Sequence, residues 1–597
     1  MSLWIAGITR GHNAGVCLLK DGEIVFSIEE ERLSRKKYDG GPFASMVKIL
    51  EYTDKLDYLV VAHTQPLYEA GKIDFTGDDV YTGLARKLGL IDQTFNGPEH
   101  PQVIDLSYVH HKLHAACAFY RSGFEKACSV IVDGAGTFIP LQIEDKDVMT
   151  WELESFFTCE YPDRFKTVYK HLGSRGPHLG ARMTVSSERE GEPGTHEMVV
   201  DDTGGIVKAY EAVTQYCGWQ PIEAGKTMGL APYGKPNDQV PSIIDDAGGN
   251  IWRTTNRNLV IPTFPNGALI AETRYEFLNT SEDDYQQGID VTQLDNRRDL
   301  AYAVQKESQE EVLNLILEAV EKTGENNVVL SGGYGLNCVA NYWFLDKIKE
   351  HDINLYVEPI SSDAGTAMGA AFLMHYKITR DVETRNPGES LYLGPEYKFN
   401  NTDLEKYAEK YDVELIDADD KSVVKLLIEK SIIAIFQGRS ENGPRALGNR
   451  SFIFDPRFED GKDFVNQVKK REYFRPFAGS ILHEHVHDWF DLKTLDETPH
   501  MMYAVDCKPG VEEKIPSIIH VDGTCRIQTV KEHQNPNYYR LINTFYEETG
   551  VPVIFNTSFN LGGEPLVETL DDALKTIANS DVKYLYMPEH GKMFISK

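Results

Sequence analysis

SVIVDGAGT, residues 129–137, runs three β-branched residues into Asp133 and then into Gly134 and Gly136; NVVLSGGYGLN, residues 327–337, repeats the plan. Both read as strands that stop at glycine and small polar residues, and helical periodicity precedes the second. A strand ending in such a turn offers main-chain N–H groups at its C-terminal edge, which suits a duplicated α/β domain that grips phosphates in a cleft. The chain opens in the same way. A strand from Leu3 to Ile8 meets the turn GHNAG (11–15), and a hairpin with an Asp21-Gly22 turn joins VCLL to EIVFSI. Residues 1–385 are read as this unit.

Outward from that unit the pattern breaks and restarts. RDVETRNPGESLYLGPEY concentrates charge, Asn-Pro-Gly and a second Gly-Pro, which is linker chemistry, so 386–397 is taken as a linker. Beyond it, a helical stretch near Lys421–Lys430 and the strands IIAIF (432–436) and VPVIF (551–555) indicate a second α/β domain over 398–597. Residues 160–205 are polar and without clear period, and are expected to form a surface insertion.

At 597 residues the chain is long enough for several cores, and 41% hydrophobic with 26% charged residues is a globular composition. The formal charge of −31 repels polyanions, so extended non-specific binding to nucleic acid or anionic membrane is not expected. The eight cysteines never form CxxC, which indicates neither a zinc ribbon nor a disulfide framework and points to reduced cytosol. No apolar run reaches the ~18 residues of a membrane span. A soluble, cytoplasmic protein is expected.

Three constellations carry chemistry. In VHHKLHAACAFY, His110 and His114 stand i, i+4 and share a helix face, so both imidazoles can reach one ion. Asp133, at a strand end, and Asp363, in SSDAGTAMGAA, can complete a site suited to Fe(II), Mn(II) or Zn(II). The second is the glycine set: Gly134 and Gly136, then Gly332 and Gly333 with Asn337 in SGGYGLN, and EAGKTMGLAPYG, where Lys226 adds a point charge. The third is FQGRSENGPRALGNRSFIFDPR with VNQVKKREYFRPFAGSIL. Between 431 and 480 nine basic residues face six acidic ones, against the sign of the whole chain. Arg439, Arg445, Arg450, Arg471 and Arg475, interrupted by Gly, Pro and aromatic residues, read as a phosphate pocket. HVDGTCRIQTV (520–530), which carries Arg526, and FNTSFN (555–560), with Ser558 and Asn560, add groups able to bind nucleotide oxygens.

These motifs, with EEERLSRKK (29–37), KKREYFRPFA and GVPVIFNTSFN, resemble the NodU/CmcH family of O-carbamoyltransferases over almost the whole chain, the stretch near 160–205 excepted. The resemblance implies an N-terminal duplicated actin/sugar-kinase-like (ASKHA) domain followed by a C-terminal YrdC-like α/β domain. It implies that the second domain converts carbamoyl phosphate and ATP, with Mg2+, to carbamoyl-adenylate, releasing phosphate and pyrophosphate. The first then passes the carbamoyl group to an acceptor hydroxyl. His110, His114, Asp133 and Asp363 match the family's metal ligands, with Fe(II) the first expectation. Arg445, Arg450, Lys469, Arg471, Arg475, Ser558 and Asn560 match its adenylate-forming site. His12, in the GHNAG turn, is the candidate base; the family often has His-Asp where this chain has His12-Asn13, so the motif lacks a carboxylate partner. Lys226 is the other candidate catalytic group.

The expected acceptor is a small hydroxyl compound such as a sugar or an antibiotic, with a hydroxymethylated nucleobase as an outlier, and a homodimer is a further expectation. A nucleotide-regulated actin-like binding protein and a threonylcarbamoyl-type tRNA-modifying enzyme are the alternatives. A HypF-like maturation factor would require CxxC pairs, which are absent.

Overall fold

The computed structural model describes residues 2–596 apart from 68–70, 72–76, 96–98, 144, 175–180, 189–191, 203, 247–252, 264–266, 281–289 and 386. The chain forms two α/β units, Met1–Val25 with Gly40–Gly388 and Phe26–Asp39 with Glu389–Lys597. The segment 26–39 thus gathers with the second unit, a discontinuity that the contiguous division at 385 does not contain.

Among the described residues the first unit holds two large sheets built on one plan, besides two two-stranded ribbons (Ile244–Asp246 with Arg253–Thr255, and Val260–Pro262 with Ala268–Ile270). The strand Glu23–Glu29 of the first sheet runs on into segment 26–39. β1 (Trp4–Thr9), β2 (Gly15–Lys20), β3 (Glu23–Glu29), β4 (Tyr58–Ala62) and β5 (Val103–Asp105) form the first, in the order β3-β2-β1-β4-β5. β1 is antiparallel to β2 and parallel to β4, and β4 is parallel to β5. Helix α1 (His110–Ser122) then leads into the second sheet, which comprises β6 (Lys126–Val132), β7 (Phe138–Ile143), β8 (Lys146–Glu160), β9 (Arg164–Ser174), β10 (Ala181–Ser186), β11 (Thr195–Asp201), β12 (Asn327–Ser331) and β13 (Asn354–Val357). Its order is β10-β11-β9-β8-β6-β12-β13, with β7 paired to β8. β6 is antiparallel to β8 and parallel to β12, and β12 is parallel to β13. The succession of directions around β1 is therefore repeated around β6, which is the duplication that the two strand-glycine motifs implied.

Helices α2 (Gly205–Tyr216), α3 (Asp295–Thr323) and α4 (Cys338–Ile348) precede α5 (Ala364–Thr379). α1 follows the first sheet but packs on β6, β8 and β12, while α5 follows the second sheet but packs on β1, β2 and β4; the two helices also pack on each other. Small residues permit this. A Cβ on Gly369 of α5 would stand 2.0 Å from the Leu113 carbonyl oxygen of α1, and one on Gly7 of β1 would stand 1.9 Å from that of Ala367. Since no side-chain atom fits there, α5 can lie between α1 and β1 only with glycine at both positions.

The expected surface insertion, 160–205, is in its described residues largely strand: the end of β8, then β9, β10 and β11, in the body of the second sheet. Its buried positions mix apolar side chains such as Phe165, Leu172 and Val199 with charged ones that are paired. Lys170 meets Glu152 at 2.5 Å, and His171 bridges Glu154 at 2.6 Å and Asp201 at 2.7 Å. Residues 175–180, 189–191 and 203 of that stretch lie outside the described ones.

In the second unit, β14 (Glu414–Asp417), β15 (Ile433–Phe436), β16 (Arg450–Phe454), helix α6 (Gly461–Lys469), β17 (Ala478–Leu482), β18 (Phe490–Asp491), β19 (Ala504–Cys507), β20 (Thr524–Val530), β21 (Val553–Ser558), β22 (Tyr584–Met587) and β23 (Lys592–Ile595) follow in turn. The strands form one sheet, β14-β23-β22-β15-β16-β21-β17-β20-β19-β18. It is antiparallel except for the pairs β15/β22 and β17/β20. Arg32 and Arg35 fasten segment 26–39 to this unit, donating to the carbonyl oxygens of Gly443 at 2.6 Å and Leu566 at 2.6 Å. The expected linker starts at residue 386, outside the described residues. From 389 onward the stretch is packed structure: Leu391 and Leu393 are buried, and the Tyr392 hydroxyl donates to the Leu447 carbonyl at 2.8 Å. Among the described residues, no helix is long and apolar enough to cross a membrane.

A candidate metal centre and a candidate anion pocket

His110 opens α1 and His114 lies one turn on, so both rings leave the same face, as the i, i+4 spacing requires. Asp133 follows the last residue of β6, and Asp363 occupies the position before the first turn of α5 without capping that helix. One ligand atom from each of the four residues lies within 4.8 Å of the others. The two Nε2 atoms are 3.2 Å apart, and Asp363 Oδ1 stands 3.5 Å from each. Asp133 Oδ2 stands 3.6 Å from His110 and 3.9 Å from His114, its other oxygen accepting the Gly333 N–H at 3.0 Å.

This donor set fits a divalent cation. Ligands about 2.1 Å from a common ion are separated by about 3.0 Å at an octahedral right angle and about 3.4 Å on a tetrahedral edge, close to the spacings here. Two imidazole lone pairs facing each other also need a proton or a cation between them. In the metal-free protein a proton answers: burial opposes charge on His110, but Asp363 and Asp133 outweigh it and raise its pKa to about 10. Burial likewise works against ionised Asp363 and Asp133, and the histidines hold both well below the usual carboxylate range.

His12 is half exposed in the turn after β1, with Nδ1 3.9 Å from Asp363 Oδ2. The carboxylate missing from the His12-Asn13 motif is therefore present in space, supplied from α5. His63, which sequence reasoning missed, follows the last residue of β4. Its Nδ1 accepts the Gln65 N–H at 3.1 Å, and burial, then Arg10 and His110, press its pKa down to about 3. The strand-end rule that picked out Asp133 applies equally to His63. Lys226 does not join the four ligands; it pairs with Glu223 at 2.8 Å and faces the Trp219 ring.

The glycine set serves the protein's own packing. A Cβ on Gly136 would meet His111 and Glu152, one on Gly134 would meet Glu211, and Gly332, at φ +87°, would bring one 2.4 Å from the Val132 carbonyl oxygen. Gly333 is used through its N–H to Asp133. Asn337 caps α4, accepting the Ala340 N–H at 3.1 Å, and exchanges hydrogen bonds with Gln305.

In the second unit, Lys469, Arg471, Arg475 and Arg526 converge, and Lys469 reaches Ser558 Oγ at 3.3 Å and Asn560 Oδ1 at 3.4 Å. Burial, followed by Arg471 and Arg475, lowers the Lys469 pKa strongly, and burial with Arg475 and Arg526 does the same to Arg471. Such crowding of cations is relieved by a bound polyanion. Arg475 also pairs with Glu472 at 3.6 Å. Two of the predicted arginines are differently employed. Arg450 is fully buried, stacks 3.8 Å from the Phe436 ring and directs its donors to the carbonyls of Gln437, Gly438, Asn449 and Glu568. Arg439 donates to the carbonyls of Gly394 at 2.6 Å and Leu393 at 2.8 Å. Arg445 lies half-buried in the loop between β15 and β16, where Glu441 gathers the N–H groups of Leu447, Asn449 and Arg450.

Two family models match the chain, Carbamoyltransferase N-terminus over residues 99–372 and Carbamoyltransferase C-terminus over 424–595. Nodulation protein NolNO of Sinorhizobium fredii is 30% identical over 98% of this chain and 79% of its own length. Nodulation protein NolO of Bradyrhizobium diazoefficiens is 30% identical over 79% of this chain and 76% of its own. The 3'-hydroxymethylcephem-O-carbamoyltransferase of Amycolatopsis lactamdurans is 25% identical, covering 95% of each chain.

Proposed function

This chain belongs to the carbamoyltransferase family and is an enzyme that transfers a carbamoyl group; we propose that it does so in two steps, ending on a hydroxyl of a small molecule. In the second unit, carbamoyl phosphate, water and MgATP give carbamoyl-adenylate, phosphate and pyrophosphate. In the first unit, the acceptor hydroxyl attacks the carbamoyl carbon and AMP leaves. The name of the cephem relative, which places a hydroxymethyl group on its substrate, supports the acceptor class.

Each half rests on its own chemistry. Adenylate formation brings anions together, and Lys469, Arg471, Arg475 and Arg526 offset their repulsion, with Ser558 and Asn560 as neutral partners. For transfer, His110, His114, Asp133 and Asp363 would hold a divalent cation. When bound, that cation supplies Lewis acidity to the charge growing on the carbamoyl oxygen. His12 takes the hydroxyl proton, and the negative charge of Asp363, 3.9 Å from its Nδ1, stabilises the imidazolium that results.

The observation that carries the reading is the gathering of two histidines and two aspartates from α1, β6 and α5 within 4.8 Å. The test is pyrophosphate release dependent on carbamoyl phosphate, followed by mass spectrometry of hydroxyl compounds for an added carbamoyl group. Metal-loaded protein that binds ATP but releases no pyrophosphate would overturn the reading in favour of a nucleotide-binding protein.

A further inference from the structure

Beneath the two-histidine helix lies a buried assembly that the proposed chemistry leaves unused. α1 begins at His110 without a side-chain cap from its own N-cap residue, Val109. Its leading N–H groups are served from elsewhere. Thr137 Oγ1 accepts the His110 N–H at 2.9 Å and donates to the Ser107 carbonyl at 3.0 Å. Glu152 Oε2 accepts the Thr137 N–H at 2.8 Å and, more weakly, the His111 N–H at 3.4 Å. Glu152 Oε1 accepts from Lys170 at 2.5 Å. Thr137, Glu152 and Lys170 are 3%, 0% and 1% exposed. The main chain joins in: Gly136 N–H donates to the Glu152 carbonyl at 2.9 Å and Asp133 N–H to that of Leu153 at 3.0 Å.

We propose that Glu152, clamped by Lys170, is a positioning residue of the metal centre, fixing at once the loop that carries Asp133 and the helix end that carries His110 and His114. The inference rests on the reading of the four-ligand cluster as a metal site. A buried Lys–Glu pair is a poor device for stability alone, since desolvating both charges offsets much of their attraction. A carboxylate at a helix N-terminus is favourable, because it faces unsatisfied N–H groups and the positive end of the dipole. It fixes the helix end only if its own position is fixed. Lys170 from β9 holds one oxygen, leaving the other to Thr137 and His111. Gly136 leaves the space, for a Cβ there would stand 2.6 Å from Glu152 Oε2. Because Thr137 passes the constraint on to the His110 N–H, the carboxylate reaches both sources of ligands without touching the ion.

The test uses the full chain and Mn2+ alone as probe. Wild type is expected to bind one Mn2+ by calorimetry, and the His110→Ala/His114→Ala variant none. Glu152→Gln is expected to raise the Mn2+ Kd about 10- to 100-fold. Glu152→Gln/Lys170→Met, which restores charge balance without the clamp, is expected to recover the melting temperature but not the affinity. Thr137→Val, which leaves the ion pair intact, is expected to weaken Mn2+ binding severalfold and serves if the Glu152 variants fail to fold. Pyrophosphate release in the other unit is expected to stay at the wild-type rate throughout. Wild-type Mn2+ affinity in the double variant or in Thr137→Val overturns the positioning role alone. Absence of Mn2+ binding in wild type overturns the metal reading itself and the positioning role with it.

Discussion

The proton on His110 is the most consequential feature at the scale of single residues. A divalent ion binds the bare Nε2, so it must displace a proton that Asp363 and Asp133 retain to about pH 10. Binding at pH 8 is therefore expected to release about one proton, and affinity is expected to rise roughly tenfold per pH unit below that pKa. Calorimetry in buffers of different ionisation enthalpy checks this, and zero net proton release would contradict it. The stability linkage has the opposite sign. His110 has its folded pKa raised from 6.5 to about 10, so its contribution to the metal-free fold is fully present below pH 6.5 and is lost as pH rises through 10. Lys469 gives a second prediction. Its charge is opposed by burial and by Arg471, so Lys469→Met is expected to raise the melting temperature while lowering pyrophosphate release by about tenfold or more. A fall in both would mark it as structural. The four metal-ligand candidates were legible because helix spacing and strand ends place side chains predictably. Arg439 and Arg450 were not, because a sequence shows where guanidinium groups occur but not which main-chain carbonyls lie in wait for them.

Among the elements, α5 decides whether the ligands meet, since Asp363 precedes its first turn and its glycine face abuts α1. Gly369→Ala is expected to cost about 1–3 kcal/mol through overpacking and to weaken Mn2+ binding by displacing Asp363. Denaturant unfolding and Mn2+ titration check the two parts, and unchanged values in both would show that α1 and α5 have slack. The duplicated sheets could be read from strands ending in glycine turns. β9 to β11 could not. Apolar alternation marks a buried strand only while its inward positions are apolar, and Lys170 and His171 are buried in polar pairs, with Thr167 buried beside them in β9, so a core strand took on the look of a surface loop.

At the scale of the whole molecule, each half is expected to work without the other's chemistry. His110→Ala/His114→Ala is predicted to abolish carbamoyl transfer yet retain pyrophosphate release dependent on carbamoyl phosphate, with Mg2+ supplied in excess. Parallel assays of pyrophosphate and carbamoylated product check it, and joint loss would refute the division of labour. The two-unit organisation was visible in the restart of strand patterning beyond residue 400. The excursion of residues 26–39 into the second unit was not, because the donors of Arg32 and Arg35 meet carbonyls more than 400 residues away in sequence.

That excursion governs how the protein can be dissected. A gene truncated after codon 388 would encode a first half trailing a strip whose arginines have lost their moorings, and the complementary fragment would lack the same strip. Neither piece would be a faithful copy of what it forms in the intact chain. A bisection that followed the two units would have to move residues 26–39 onto the C-terminal fragment, and in doing so would sever β3 after Val25.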